Sequence, residues 1–237
     1  MRFFNKEQEI DFIAFKQALP AEAALLEPHL ERDEQFEYDS DHRLFLQSKT
    51  SGPVSFELES QLKYHQRFFN KNSVYSQPLA KALGIKKGRP RPKVLDATAG
   101  TLKDSMLILA MGCDVLACER NPIVQALILN ALKFVEFDAR FEFIPRGALD
   151  LISGRADFDV AYYDPMYEQK NEKAAPRKEM RIFREVVQVD SDIVQVGSAL
   201  RETNKRLVIK RSSKASPLIE SPEISFGKKS TVYDVYI

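Results

Sequence analysis

Cysteine is almost missing from this chain: Cys113 and Cys118 are the only two in 237 residues. With no matching Cys/His pair they offer neither a zinc spacing nor a disulfide framework, so they read as small buried residues flanking one short apolar run. No apolar run approaches the roughly 20 residues that span a bilayer, and the opening Met1-Arg-Phe-Phe-Asn-Lys-Glu-Gln-Glu lacks the apolar core of a secretory signal. A cytoplasmic location, with no membrane and no metal partner, is the expectation. Histidine is scarce as well, and His29, His42 and His65 form no catalytic pattern. Internal repeats and low-complexity tracts are absent.

What is present is enough hydrophobic content, 44%, to bury a core of ordinary size with an appendage. Net charge is only +1, yet residues 1–60 hold 6 Lys/Arg against 13 Asp/Glu while residues 61–237 hold 29 against 21. An acidic front and a basic remainder are compatible with an acidic appendage on a catalytic domain that faces RNA. The first 30 residues show helical spacing around Pro20, followed by an acidic stretch from Glu31 to Asp41. Arg43-Leu-Phe-Leu-Gln and Val54-Ser-Phe-Glu-Leu-Glu alternate like strands across Thr50-Ser-Gly-Pro53. These predict a small α+β appendage over 1–75 and a second domain over 76–237.

From Ser76 strands and helices alternate. A helix over Gln77 to Leu83 stops at Gly84, and a basic loop, Lys86-Lys-Gly-Arg-Pro-Arg-Pro92, leads to a strand at 94–98. Helices are expected at about 102–111, 121–134, 176–187 and 191–203, and strands at 115–119, 141–145, 158–163 and 206–211. Such alternation means a parallel sheet covered on both faces. The close, Glu223-Ile-Ser-Phe and Thr231-Val-Tyr-Asp-Val-Tyr-Ile237, forms a hairpin that adds an antiparallel strand at the sheet edge. An ordinary dinucleotide-binding dehydrogenase would not end that way, whereas the Rossmann-like, seven-stranded class I methyltransferase sheet does.

Two sheet edges carry the chemistry. Val94-Leu-Asp-Ala-Thr-Ala-Gly100 is a strand entering a tight turn: Gly100 permits close backbone approach to a ligand, and Asp96 can bind a ligand amino group such as that of a methionine moiety. Val115-Leu-Ala-Cys-Glu119 ends in a carboxylate placed to accept hydrogen bonds from a ribose diol. Downstream, Asp164-Pro165-Met166-Tyr167 ends another apolar run. An exocyclic base amine is a poor nucleophile because its lone pair is delocalised, so it must be held and aimed; the Asp164 carboxylate and the Pro165 carbonyl supply two acceptors for its two N–H donors. Pro165 has a restricted φ that fixes this carbonyl, and Tyr167 offers a face for base stacking. Together these features suggest an S-adenosylmethionine-dependent methyltransferase. Arg177, Arg181 and Arg184 share one helix face that either contacts phosphates or is simply solvated. Lys205-Arg206, Lys210-Arg211 and Lys214 bracket a strand at its exposed ends.

From about Gln77 to Ile237 the chain resembles the RsmJ family, bacterial methyltransferases of a guanine N2 amine in small-subunit (16S) ribosomal RNA. The resemblance is carried by Leu79-Ala-Lys-Ala-Leu-Gly-Ile-Lys86, Asp96-Ala-Thr-Ala-Gly100, Gly112-Cys113, Glu119-Arg-Asn-Pro122, Asp164-Pro-Met-Tyr167, Lys178-Glu-Met-Arg181, Val208-Ile-Lys-Arg211 and Tyr233-Asp-Val-Tyr236. It implies S-adenosylmethionine as cofactor, contacted at Lys103, Asp104, Glu119, Arg120, Gly147, Ala148 and Asp164, and small-subunit ribosomal RNA or the assembling subunit as partner. The chain departs from the family at the turn, where Ala-Gly-Leu-Gly-Arg-Asp becomes Ala99-Gly-Thr-Leu-Lys-Asp104. Leu102 thus puts a side chain where backbone approach to the cofactor is expected. Asn70-Lys-Asn-Ser-Val-Tyr-Ser76 stands in place of a glycine-rich segment, and Gly147 and Ala148 lack hydroxyls. The competing readings are an N-methyltransferase for another RNA position or a protein amide, and a non-catalytic RNA-binding or assembly protein that retains the fold.

Overall fold

The computed structural model describes residues 2–4, 9–29, 35–47, 52–71, 73–137, 140–154, 156–165 and 192–237. The expected helix at 176–187, with Arg177, Arg181 and Arg184, lies outside the described residues, as do Met166 and Tyr167. The chain forms two compact units, one within Met1–Leu58 and Asn121–Glu136, the other within Glu59–Arg120, Phe137–Met166 and Asp190–Ile237.

In the first unit, strands β1 (Arg2–Phe4), β2 (Gln35–Tyr38) and β3 (Leu44–Gln47) make an antiparallel sheet in that order. Helices α1 (Glu9–Ala18) and α2 (Pro20–Leu26) join it, with Pro20 at the first position of α2, where its missing N–H costs nothing. Buried Asn130, on the later helix Pro122–Leu132 (α6 in chain order), ties the unit together. Its side-chain carbonyl accepts from the Leu44 N–H at 2.7 Å, and its amide donates to Glu22 at 3.2 Å and to the His42 carbonyl at 2.9 Å.

Two expectations for this region are corrected. The stretch Val54 to Glu59 is not a strand: only Val54 bridges, to Leu46, and Leu58 already opens helix α3 (Leu58–Lys71). Leu58, Leu62, His65 and Phe69 recur at helical spacing, and the Glu59–Lys63 ion pair, 2.6 Å and one turn apart, supports the same conformation. The acidic stretch contains strand β2, whose Phe36 and Tyr38 are buried.

The second unit holds a seven-stranded sheet. Its strands are β4 (Lys93–Asp96), β5 (Asp114–Cys118), β6 (Phe141–Ile144), β7 (Val160–Tyr163), β8 (Arg206–Ser212), β9 (Ile224–Lys228) and β10 (Thr231–Tyr236), in the order β6-β5-β4-β7-β8-β10-β9. The first five run parallel. Strand β10 is antiparallel to both neighbours, so it inserts between β8 and β9 instead of forming the edge itself. A β-carbon on Gly227, φ +114°, would fall 2.4 Å from the Thr231 carbonyl oxygen, so the hairpin requires glycine there. Every residue of β7 is buried, and so are Val115 to Cys118 of β5, because helices cover both sheet faces. The core joins Leu95, Leu116, Ala161, Leu207 and Ile209 to Leu151 and Leu200. These last two lie on helices α7 (Ala148–Ser153), not foreseen in the sequence, and α8 (Ile193–Glu202). Helices α4 (Pro78–Ala82) and α5 (Lys103–Ala110) match expectation, and Cys113 and Cys118 are buried free thiols.

The cations around β8 are not the solvent-facing set the sequence suggests. Arg211 forms a forked pair with fully buried Asp234, Nε to Oδ2 at 2.5 Å and Nη2 to Oδ1 at 3.1 Å, which clamps β8 to β10. Arg206 donates to the Ala82 carbonyl at 2.6 Å, Lys205 donates to the Phe158 carbonyl, and Lys210 turns into the sheet edge described next. Strand ends in a covered sheet meet neighbouring elements, and each buried cation there needs an internal acceptor. Of the set, Lys214 is exposed.

Candidate active site

The carboxyl ends of β6, β5, β4 and β7 lie side by side, and the strand order reverses beside β4, where open α/β sheets form their ligand crevice. Along this edge come Gly147 and Ala148 after β6, Glu119 and Arg120 after β5, the turn from Asp96 to Asp104 after β4, and Asp164 and Pro165 after β7. The expected site residues that are described thus share one edge. A cavity of about 550 Å³ lined by Phe158, Lys205 and others lies at the amino ends of β7 and β8, away from this chemistry.

The turn is locked from three sides. Asp96 is buried, its Oδ1 accepting the Thr98 N–H at 3.1 Å and its Oδ2 the Ser105 hydroxyl at 2.5 Å. Burial pushes this carboxyl up to about 7, against the two hydrogen bonds that favour its charged form. Each oxygen thus already accepts one bond, from the turn at Thr98 and from the first turn of α5 at Ser105. The Ala99 N–H reaches the Cys118 carbonyl at 2.9 Å, and the Gly100 N–H, at φ +52°, donates to Glu119 Oε2 at 3.0 Å. The first two strand edges are thereby set relative to each other before any ligand arrives. Arg120 pairs through one nitrogen with both oxygens of Asp192 at 2.7 and 2.8 Å, and Gly147 lies so close that an added β-carbon would sit 3.6 Å from the Arg120 β-carbon.

Leu102 adopts φ +59°, ψ +12°, the left-handed conformation that glycine takes freely, and its side chain is fully buried. It points into the protein and leaves the open crevice clear, so the substitution changes the cost of the turn and not the space for a cofactor. Left-handed backbone costs a non-glycine residue about 1–2 kcal/mol, whereas truncating a buried leucine costs about 2–5 kcal/mol. Urea unfolding should show Leu102→Ala losing about 2–4 kcal/mol, and Leu102→Gly about 1 kcal/mol less despite its smaller side chain. The reverse ranking would mean that the left-handed backbone is not a source of strain.

On the other side of β4, Lys210 bridges Asp104 and Asp164, 2.7 Å from an oxygen of each, and the Tyr162 hydroxyl donates to Asp104 at 2.5 Å. The Asp164 N–H is held by Thr98 Oγ1 at 2.8 Å. Burial raises the Asp164 carboxyl to about 6, with Lys210 acting to lower it and Asp104 adding to the rise. Burial also acts to lower Lys210, but Asp164 and Asp104 outweigh it and hold the ammonium charged. Sequence reasoning missed Lys210, Tyr162, Thr98 and Ser105 as parts of the site. The family resemblance at Val208-Ile-Lys-Arg211 was the available signal, yet its lysine pairs with residues 46 and 106 positions away.

A doubly covered parallel sheet with an inserted antiparallel strand, a glycine turn tied to a carboxylate on the next strand, and an Asp-Pro at the fourth edge define a class I S-adenosylmethionine-dependent methyltransferase. Residues 21–237 match the family model described as "Putative SAM-dependent methyltransferase". Three curated relatives each named ribosomal RNA small subunit methyltransferase J are similar to the chain. That of Coxiella burnetii is 33% identical over 80% of this chain and 77% of its own length; that of Thioalkalivibrio sulfidiphilus is 35% identical over 78% and 76%. That of Ectopseudomonas mendocina is 36% identical over 81% and 76%. The chain belongs to the ribosomal RNA small subunit methyltransferase J family. A crystallised SAM-dependent methyltransferase from Neisseria gonorrhoeae shares the fold, with a TM-score of 0.60 at 23% identity over 82% of this chain and 79% of that one. Among the described residues no helix is long and apolar enough to cross a membrane.

Proposed function

We propose that this enzyme methylates the exocyclic N2 of a guanine in small-subunit ribosomal RNA, acting in the cytoplasm on the RNA or on the assembling subunit. The observation that carries this is the placement of Asp164 beside the cofactor turn, its backbone fixed by Thr98 and its carboxylate partnered by Lys210. The relatives' shared name supplies the RNA, and the sheet-bearing unit supplies the catalytic domain. The crevice suits the cofactor: Glu119 is a diol acceptor at the end of β5, Gly100 leaves backbone approach open, and Leu102 is turned away. When bound there, S-adenosylmethionine supplies an electrophilic methyl group on a sulfonium.

The roles of this chain's residues follow from their chemistry. Asp164 and the Pro165 carbonyl receive the two N–H bonds of the amine and aim its lone pair; Tyr167 stacks on the base. Lys210 takes one oxygen of Asp164 and favours its charged, accepting form. Gly100, Lys103, Asp104, Glu119, Arg120, Gly147, Ala148 and Asp164 line the cofactor, and Asp96 acts by holding the turn. Positioning and electrostatics provide most of the rate.

Calorimetric titration with S-adenosylmethionine should give micromolar binding, weakened about tenfold or more in Glu119→Ala through loss of charge-assisted hydrogen bonds. Undiminished binding in that variant would remove Glu119 from the site. With a labelled methyl group, the RNA of the small subunit should take up the label; label in a protein amide instead would overturn the RNA substrate.

A further inference from the structure

Between Ser60 and Leu95 the sequence holds nine Lys/Arg and no Asp/Glu. The same stretch presents Tyr64, 66% exposed on α3, and Tyr75, 38% exposed with the Arg91 guanidinium 5.1 Å from its ring centre. Beside α3 a groove of about 340 Å³ is lined by Tyr64, Phe68, Pro78, Leu107, Met111 and Tyr233, all in the sheet-bearing unit.

This groove adjoins the reacting edge. Tyr233 on β10 lies directly opposite Lys210 on β8, so the two side chains share one face of the sheet. Leu107 sits three residues after Asp104 on α5, on the same helix face. A strand whose target base sits at Asp164 therefore passes the groove with a neighbouring nucleotide. Lys63 is paired with Glu59 and Lys93 with Asp157; aromatic rings interleaved with the other cations of the run match what unpaired RNA needs, π-faces for bases and positive charge for phosphates.

We infer that the α3 groove is a stacking site for a base of single-stranded RNA next to the target nucleotide, with the surrounding basic run carrying its phosphates. This rests on the RNA methyltransferase reading above. Tyr64 stacks on the base, and the Tyr75–Arg91 pair extends the platform along the strand. Duplex RNA, whose bases are already stacked and paired, gains nothing from these rings.

The test is fluorescence anisotropy of the full chain with a labelled single-stranded RNA of about 12 nucleotides, a length such platforms cover, and with a hairpin of the same composition. Replacing Tyr64 and Tyr75 together by Ala should weaken single-strand binding about tenfold or more, given the usual worth of base–aromatic stacking. The hairpin should be little affected, cofactor affinity unchanged, and the Tyr→Phe pair should restore binding. Unchanged single-strand affinity in the Ala pair, or no binding by the wild-type chain, overturns the inference. Loss confined to the intact small-subunit particle, with none on bare RNA, also overturns it, because the groove would then take a protein surface. Aromatic-dependent RNA binding by a chain that transfers no methyl group to ribosomal RNA would leave the groove standing and overturn the function proposed above.

Discussion

Asp164→Ala should lower methyl transfer by at least about 10²–10³-fold, the scale seen when one preorganised polar partner of a reacting group is removed. The protein should stay folded. The Asp164 carboxylate takes no part in the bond that fixes the loop, since its backbone N–H is what Thr98 holds. Lys210 keeps Asp104 as partner when Asp164 is truncated, so no buried ammonium is stranded. Single-turnover assays with labelled cofactor, alongside circular dichroism and calorimetry, separate the outcomes. Cofactor affinity within a few-fold of wild type with lost transfer places Asp164 at the amine; full activity would sink its assignment as the amine acceptor.

Lys210→Met should change the shape of the pH profile as well as its height. The accepting form of Asp164 is the carboxylate, so transfer falls as pH drops through the carboxyl's pKa, raised by burial to about 6. Lysine opposes that rise, and without it the carboxyl moves further up, leaving a smaller ionised fraction at neutral pH. An opposite charge in contact is worth about 1–3 pKa units. The acid limb should therefore shift to higher pH by about one to three units, with a loss of rate at pH 7 of about twofold for a one-unit shift and about tenfold for two. A lysine that served structure alone would lower the rate equally at every pH and leave the limb in place.

The sheet edge was legible in the sequence because its determinants are local. A buried apolar run, an acidic residue and a glycine must lie within a few positions for a strand to enter such a turn, and Glu119 follows at the distance set by one helix and one strand. The terminal hairpin was legible for the same reason, through Gly227 and the alternation of residues 231–237. Helix α3 was obscured because the residues leading into it, Val54 to Glu59, alternate apolar with polar as they would in a strand. Lys210 was read as an exposed strand end because its acceptors come from α5 and the loop after β7, a pairing that only tertiary structure brings about. Leu102 shows the converse: the sequence signalled an obstacle where glycine is expected, and the left-handed backbone turns that side chain inward at the cost of strain.

The most direct test is nucleoside mass spectrometry of small-subunit RNA from cells lacking this activity, incubated with the enzyme and methyl-labelled S-adenosylmethionine. Labelled N2-methylguanosine, formed by the wild-type chain and not by Asp164→Ala, is the expected result. Label on another atom, label in protein alone, or equal transfer by the variant would contradict the assignment of Asp164 and Pro165 to a guanine amine.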